Sequence, residues 1–438
     1  MPVRSLPGTP DLLKLHARWP QRYPVLLETA SGGGWDILLA FPRQQACFDA
    51  TSTPDIYARL AADWQVQRCS TELAAAHLPF RGGWFVYLGY ETLHALEPSV
   101  ARRAADTGFP DASLMRIPAA ILVNRASAQT WLFAEPDGAH LLAEMQHDLA
   151  TVPSPIEVPV QLVTLAEAPA PDFLAGVARI QQYIREGDVF QVNLSRRWHA
   201  QLRPGAAPVD VYRALRRANP APFGGLARLG AHHSIVSSSP ERLVQVQSGQ
   251  AHTRPIAGTY PRHADPARDA QTRAELAAHP KERAEHVMLV DLERNDLGRV
   301  CKPGSVRVDE LMAVATYTHV HHIESSVSGV LRDDVSPAVA LRALFPGGTI
   351  TGCPKVRTMQ IIRELETSPR QAYTGSMGYV NRDGDMDMNI LIRSMMLSDD
   401  LITFSAGAGI VADSDPLREL QETRAKARGL LSALGVVG

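Results

Sequence analysis

Glu419, Glu422 and Lys426 stand three and seven positions apart, a spacing that brings side chains to one face of a helix. An earlier segment, Glu282 to Asp291, places Glu282 and Glu285 at the same three-residue spacing. Carboxylates from two helices facing one cleft suit a hard, oxygen-seeking cation such as Mg2+. A solvated helix face has the same composition, so the stripe gains meaning only from its company. Ser237-Ser238-Ser239-Pro240-Glu241-Arg242 ends an apolar strand and carries Glu241. A carboxyl group at a strand end can act as a general acid if burial raises its pKa. His322, second of a histidine doublet in a β-rich run, can orient or protonate a substrate. Arg393 follows Met388-Asn389-Ile390-Leu391-Ile392 and offers a bidentate grip on a carboxylate. No H-E-x-x-H and no ligand-spaced Cys/His set is present, which argues against zinc.

The run Pro346-Gly347-Gly348-Thr349-Ile350-Thr351-Gly352-Cys353-Pro354-Lys355-Val356-Arg357 is too rich in glycine and proline for an ordinary helix or central strand. It reads as a turn whose hydroxyls and cations suit a small polar anion. Gly407-Ala408-Gly409-Ile410-Val411-Ala412 fits the wording of a dinucleotide fingerprint. That reading fails, because no further βαβ unit follows and no acidic residue comes after Glu422. Backbone N–H groups near these glycines could still hold a carboxylate.

The elements that must position these groups alternate in consecutive strand pairs and helices. Pro24–Glu28, Trp35–Phe41 and Arg81–Glu91 read as strands, Asp55–Gln65 as a helix, and Ile117–Val123 with Thr130–Phe133 as a hairpin. Five prolines within 151–172 mark a boundary between an N-terminal region, 1–165, and a second region, 170–438. Beyond it, helical spacing covers Asp172–Glu186, Val209–Arg217, Pro280–Leu292, Ala338–Leu344, Val356–Leu365 and Pro416–Leu434. Strand-like runs cover Val189–Trp198, Ser234–Ser238, Leu243–Gln247, His319–Val330, Ala372–Val380 and Leu401–Phe404. Strands clustered in pairs predict an α+β fold with antiparallel sheets.

At 438 residues, 45% hydrophobic and 21% charged, the chain has the make-up of a globular protein with a sizeable core. A net charge of −2 and no basic run argue against nucleic acid as a partner. No stretch has the length of a membrane span, and the first residues lack a signal-peptide layout. The four scattered cysteines fit a reducing, cytoplasmic setting.

Several stretches, taken in order, resemble one family. They are Gly187-Asp188-Val189-Phe190-Gln191-Val192-Asn193-Leu194-Ser195, Ser239-Pro240-Glu241-Arg242, Arg254-Pro255-Ile256-Ala257-Gly258-Thr259, Arg283-Ala284-Glu285-His286 and Asp291-Leu292-Glu293-Arg294-Asn295-Asp296. The turn at 346–357, Ser405 to Ser414 and Gln421-Glu422-Thr423 complete the set. The wording is similar to that of the chorismate-binding enzymes: component I of anthranilate and aminodeoxychorismate synthases, and the isochorismate and salicylate synthases. The resemblance is close from about Asp172 onward and loose before, through Leu26-Leu27-Glu28 and Gly82-Gly83-Trp84. It implies two large packed antiparallel sheets flanked by helices.

The resemblance also implies roles. Glu285 and Glu422, with Glu419 close by, would hold Mg2+ against the ring carboxylate of chorismate. Tyr373, Arg393, Lys426 and the backbone at Gly407 and Gly409 would bind anionic groups. Glu241 would protonate the departing C4 hydroxyl, and His322 and Thr349 would flank the ring. Gln191 stands where isochorismate-type enzymes carry a water-activating Lys, which favours amination. Ammonia would come from a separate glutamine amidotransferase subunit. Asn193 and Asn219-Pro220-Ala221-Pro222-Phe223 match the C4-aminating enzymes, which implies 4-amino-4-deoxychorismate, a folate precursor, as product. Ala257 instead matches anthranilate synthases, replacing a Lys that attacks ring C2, and an Ala cannot be a nucleophile. A non-catalytic chorismate-binding subunit is the other class. Leu26-Leu27-Glu28-Thr29 departs from the Leu-Leu-Glu-Ser of feedback-regulated relatives, so weak or no tryptophan inhibition is expected.

Overall fold

The computed structural model describes the chain except Met1 and residues 30–33, 50–51, 53–54, 71–74, 103–107, 317–319 and 437–438. Among the described residues, two antiparallel sheets carry the fold, one of 12 strands and one of 10. Both draw on both ends of the sequence. In the larger sheet, Val25–Glu28 pairs with Phe223–Arg228, setting Leu26 opposite Leu226. In the smaller, Gly83–Leu88 pairs with Ser376–Asn381, setting Val86 opposite Gly378. The α+β architecture expected from paired strands is the one observed.

The sheets pack face to face because alternate residues on their facing sides are apolar. Val25, Leu39, Ile235 and Met396 of the larger sheet share one core with Phe85, Tyr87, Met115 and Met377 of the smaller. Helices cover the outer faces. Pro208–Ala218 and Pro416–Ala433 bury Leu215, Leu430 and Ala427 against Trp198 and Phe404 of the larger sheet. Pro280–Gly298 and Pro337–Leu344 bury Val290, Leu297 and Leu341 against the smaller.

The hairpin Ala119–Asn124/Gln129–Ala134 and the helices Ile56–Gln67, Ala170–Arg185 and Lys355–Leu365 lie where the apolar spacing places them. The expected strand from His319 begins at Val320, and His319 itself lies outside the described residues. The proline-rich run is not all connector: Leu162–Glu167 forms a strand on Gln191–Leu202. The sequence reading gave no element to Pro266–Ala278, a helix that buries only Thr272 and Leu276. With so little buried on one side, its apolar period is faint.

Candidate active site

The strand Gln191–Leu202 is the floor of the site. Val192 and Leu194 point into the core beneath the helices Ala170–Arg185 and Lys355–Leu365, so Gln191 and Asn193 must face the other way. Opposite runs Leu401–Ile410, pairing Ser195 with Gly407 and Asn193 with Gly409. The two glycines lie within this strand, which continues past the expected end at Phe404. Their service is steric. A Cβ on Gly409 would come within 2.2 Å of Gln191 Nε2. One on Gly407 would come within 2.5 Å of Asn193 Oδ1 and 2.7 Å of the Tyr373 hydroxyl. Three polar side chains thus converge over a floor without side chains. Gln191 Oε1 and Asn193 Oδ1 are buried acceptors with no hydrogen-bond partner among the described residues, a costly state that a donor from a ligand would relieve.

An ion pair holds the floor in place. On its outer edge, Gln191–Leu202 is paired by Gly352–Cys353 at one end and Leu162–Glu167 at the other, with a gap between. Glu366 and Arg370 fill the gap. Glu366 accepts from the Ser195 amide (2.9 Å) and hydroxyl (2.8 Å), while Arg370 donates to the Asn193 carbonyl (2.7 Å) and to Glu366 (2.6 and 2.9 Å). The Arg370 guanidinium also lies over the Tyr373 ring at 5.5 Å. Sequence reasoning missed this pair; its i, i+4 spacing was the available signal.

Glu241 lies between the strands His233–Ser239 and Arg242–Gln247 and is buried. Burial pushes its pKa up to about 7, eased by the Thr349 hydroxyl, Arg393 and Lys426. Thr349 adjoins it, yet neither Thr349 Oγ1 nor Glu241 Oε1 has a well-directed partner. A carboxyl with its pKa near 7 keeps much of its proton at neutral pH, the state a general acid needs. Arg393 sits at φ +50°, a left-handed conformation that a non-glycine residue adopts at a cost. Its guanidinium makes no hydrogen bond or ion pair among the described residues; burial pulls its pKa down, opposed by the charge of Glu241. His322 Nδ1 donates to the Gly258 carbonyl at 3.0 Å. Burial lowers its pKa, which favours the neutral ring. Ala257 stands one strand away, opposite Ile323.

The turn at 346–357 brings Thr349 over Glu241. Gly352 is obligatory there: its φ is +124°, and a Cβ would come within 2.2 Å of the Gln191 carbonyl. Gly352 and Cys353 pair with Val192 and Gln191, so part of the expected turn is a short strand. Lys426 donates to the Gly407 carbonyl at 3.0 Å and pairs with Glu422 at 2.7 Å, so it frames the floor.

The chain matches the chorismate binding enzyme family over residues 23–432. It belongs to the chorismate-binding enzymes. A Synechocystis relative, an "anthranilate synthase component I-like protein", is 43% identical over 82% of this chain and 74% of its own length. The aminodeoxychorismate synthase component 1 of Klebsiella aerogenes is 41% identical over 98% of both chains. The crystal structure of anthranilate synthase component I from Streptococcus pneumoniae superposes with a TM-score of 0.82 at 31% identity, covering 92% of this chain and 93% of that one. The protein is thus a chorismate-binding enzyme of the component I type.

Within this chorismate-binding enzyme, the expected metal carboxylates occupy two helices. Glu285 is half-buried on Pro280–Gly298; Glu419 is buried and Glu422 exposed on Pro416–Ala433. Among the described residues no three Asp, Glu, His or Cys side chains gather as a preformed cage. The donors are nonetheless hard oxygens, and one or two protein carboxylates suffice for a cation that keeps its waters and takes ligand oxygens. The residues fit Mg2+ on those terms. A cavity of about 350 Å3 near Glu28 lies apart from this cleft, lined also by Trp35, Phe223, Arg242 and Tyr379. Among the described residues, no helix is long and apolar enough to cross a membrane.

Arg393→Met should raise KM for an anionic substrate about 10- to 100-fold, since a charge-assisted hydrogen bond contributes about 1.5–3 kcal/mol. Steady-state kinetics check this; an unchanged KM removes Arg393 from the anion site.

Proposed function

We propose that the chain is aminodeoxychorismate synthase component I, aminating chorismate at C4 with ammonia to give 4-amino-4-deoxychorismate. The observation that carries the chemistry is Glu241, a buried carboxyl with a raised pKa and no partner on Oε1. It would give its proton to the C4 hydroxyl, so that water leaves instead of hydroxide. Arg393 and Tyr373 would grip carboxylates, and neutral His322 and Thr349 would flank the ring. Gln191 and Asn193 present acceptor oxygens, which suit a nucleophile that is itself an N–H donor. Ammonia supplied by a glutamine amidotransferase subunit would add directly, since Ala257 offers no amine, and the nitrogen then loses a proton. Glu285, Glu419 and Glu422 would hold Mg2+, which would orient and polarise the ring carboxylate.

Placement of nitrogen at C4 is supported by Asn193 in the floor and by the end-to-end match with the Klebsiella protein. Ala257 favours a second reading, anthranilate synthase component I, with nitrogen at C2 and loss of pyruvate. The deciding experiment incubates the pure chain with chorismate, Mg2+ and an ammonium salt, adds a 4-amino-4-deoxychorismate lyase, and separates the products. para-Aminobenzoate is expected. Anthranilate as main product installs the second reading, and no turnover at all leaves a non-catalytic binding subunit. Chelating the metal should stop either reaction.

Tryptophan added to that assay should inhibit weakly or not at all. Glu28, beside the second cavity, already accepts from Tyr212 at 2.6 Å and pairs with Arg216 at 3.2 Å. Inhibition at micromolar tryptophan would refute this.

A further inference from the structure

The segment 370–375 supplies two groups around the floor of the site. The Arg370 side chain donates to the Asn193 carbonyl, and the Tyr373 hydroxyl lies 2.7 Å from where a Cβ on Gly407 would stand. The backbone here is tied at several points. Tyr373 donates its amide to the Arg370 carbonyl at 3.0 Å, and Thr374 donates to the Leu391 carbonyl at 2.8 Å, just before Arg393. The segment is not relaxed: Gln371 has a φ of +54° and Thr374 one of +60°. Non-glycine residues keep such angles only where their surroundings impose them.

The surroundings come from the other end of the chain. Glu91 lies in the short helical stretch Tyr90–Ala95, which follows the strand Gly83–Leu88. One carboxyl oxygen of Glu91 accepts from the Arg370 amide and the other from the Gln371 amide, each at 2.8 Å. Two successive N–H groups thus converge on one carboxyl group, a concave backbone arrangement that suits an anion. Tyr90 donates its own amide to the Gln371 carbonyl at 2.7 Å. The Arg370 guanidinium lies over the Tyr90 ring at 4.8 Å. Nothing bulky separates the two segments: a Cβ on Gly375 would come within 2.3 Å of the Leu88 carbonyl. Burial raises the Glu91 pKa, and the two amides and the charge of Arg197 oppose that.

We propose that Glu91 is a positioning residue for Tyr373: a carboxyl group from the N-terminal region that fixes the backbone on which this tyrosine stands. It acts through Tyr373, and this rests on the reading that Tyr373 grips a carboxylate of chorismate. A glutamine at position 91 would offer one acceptor oxygen and turn an NH2 donor toward the second backbone N–H. That N–H would lose its partner, and the left-handed backbone at Gln371 would lose what holds it. The Glu366–Arg370 ion pair would remain, so the disturbance stays local.

The test is a double-mutant cycle on chorismate affinity. Titration calorimetry with Mg2+ present and ammonia withheld reads binding whatever product the enzyme makes. Glu91→Gln and Tyr373→Phe should each bind about tenfold more weakly than wild type, the effect of one lost charge-assisted hydrogen bond. The double variant should bind no more weakly than Tyr373→Phe alone, because Glu91 then has nothing left to position. Hydrogen exchange should quicken at 370–375 in Glu91→Gln and stay unchanged in Gly83–Leu88. Glu91→Asp keeps the charge and both acceptor oxygens; it should recover part of the affinity, and it carries the same cycle if Glu91→Gln does not fold. Losses that multiply to about 100-fold in the double variant, as separate structural effects would, overturn the proposal. So do wild-type affinity or unchanged exchange at 370–375 in Glu91→Gln, and each of these leaves Tyr373 in the site. Wild-type affinity in Tyr373→Phe overturns the proposal together with the reading of Tyr373.

Discussion

Glu241→Gln lowers kcat by about 10²–10⁴-fold while leaving chorismate affinity within a few fold, the loss expected when a positioned acid is removed. The amide keeps the shape and fills the same buried site, but it has no proton to give a leaving hydroxyl. In wild type the same group sets the alkaline limb of the pH profile. Its pKa is pushed up to about 7, so the active, protonated fraction falls as pH rises through that value. Stability runs the other way in the variant. The unfolded carboxyl titrates near 4.5 and the folded one near 7, so between those values the unfolded chain releases its proton and the folded chain does not. Wild type therefore loses stability from this group across that window, by at most about 3 kcal/mol, and loses no more above it. Glu241→Gln lacks that loss: it should melt at a higher temperature than wild type at pH 8 and show no such gain at pH 4. A variant that keeps wild-type turnover, or that melts lower at pH 8, removes Glu241 from the role of buried acid.

What the sequence carried and what it withheld divide along the range of the interactions. Glu419, Glu422 and Lys426 lie on a helix because spacing is local, and the helix Pro416–Ala433 follows from it. The pairing of Leu26 with Leu226 joins residues that no local pattern relates, so the sharing of both sheets by the chain's two ends had to be seen. The floor of the site was misread in one respect for a related reason. Glycine weakens a strand, so Gly407 and Gly409 suggest that Leu401–Phe404 has ended, whereas cross-strand pairing with Asn193 and Ser195 carries it on to Ile410. Arg393 could be read as an anion grip but not as a strained residue, because its φ of +50° belongs to the folded backbone and leaves no mark on the local sequence pattern.

Gly409→Ala and Gly407→Ala should each cost about 100-fold in kcat/KM although each adds one methyl group to a chain that still folds. The added Cβ at position 409 would lie within 2.2 Å of Gln191 Nε2, and at 407 within 2.5 Å of Asn193 Oδ1 and 2.7 Å of the Tyr373 hydroxyl. Real carbon atoms do not approach so closely, so something must move. The strand backbone is pinned by its ladder with Gln191–Leu202 and, through that strand, by Glu366 and Arg370. The movable parts are the tips of Gln191, Asn193 and Tyr373, the groups that face the cleft. A displacement of about 1 Å in a positioned group can cost about 10²-fold in rate. Overpacking of this kind costs about 1–3 kcal/mol in stability, which a chain of this size can absorb. The signature is therefore a folded, cooperatively melting protein with a crippled active site. Gln191→Ala in the Gly409→Ala background tests the cause: removing the displaced side chain should restore the lost stability but not the rate. A Gly409→Ala enzyme with unchanged kcat/KM would show that Gln191 has no fixed position to lose, and would take it out of the site.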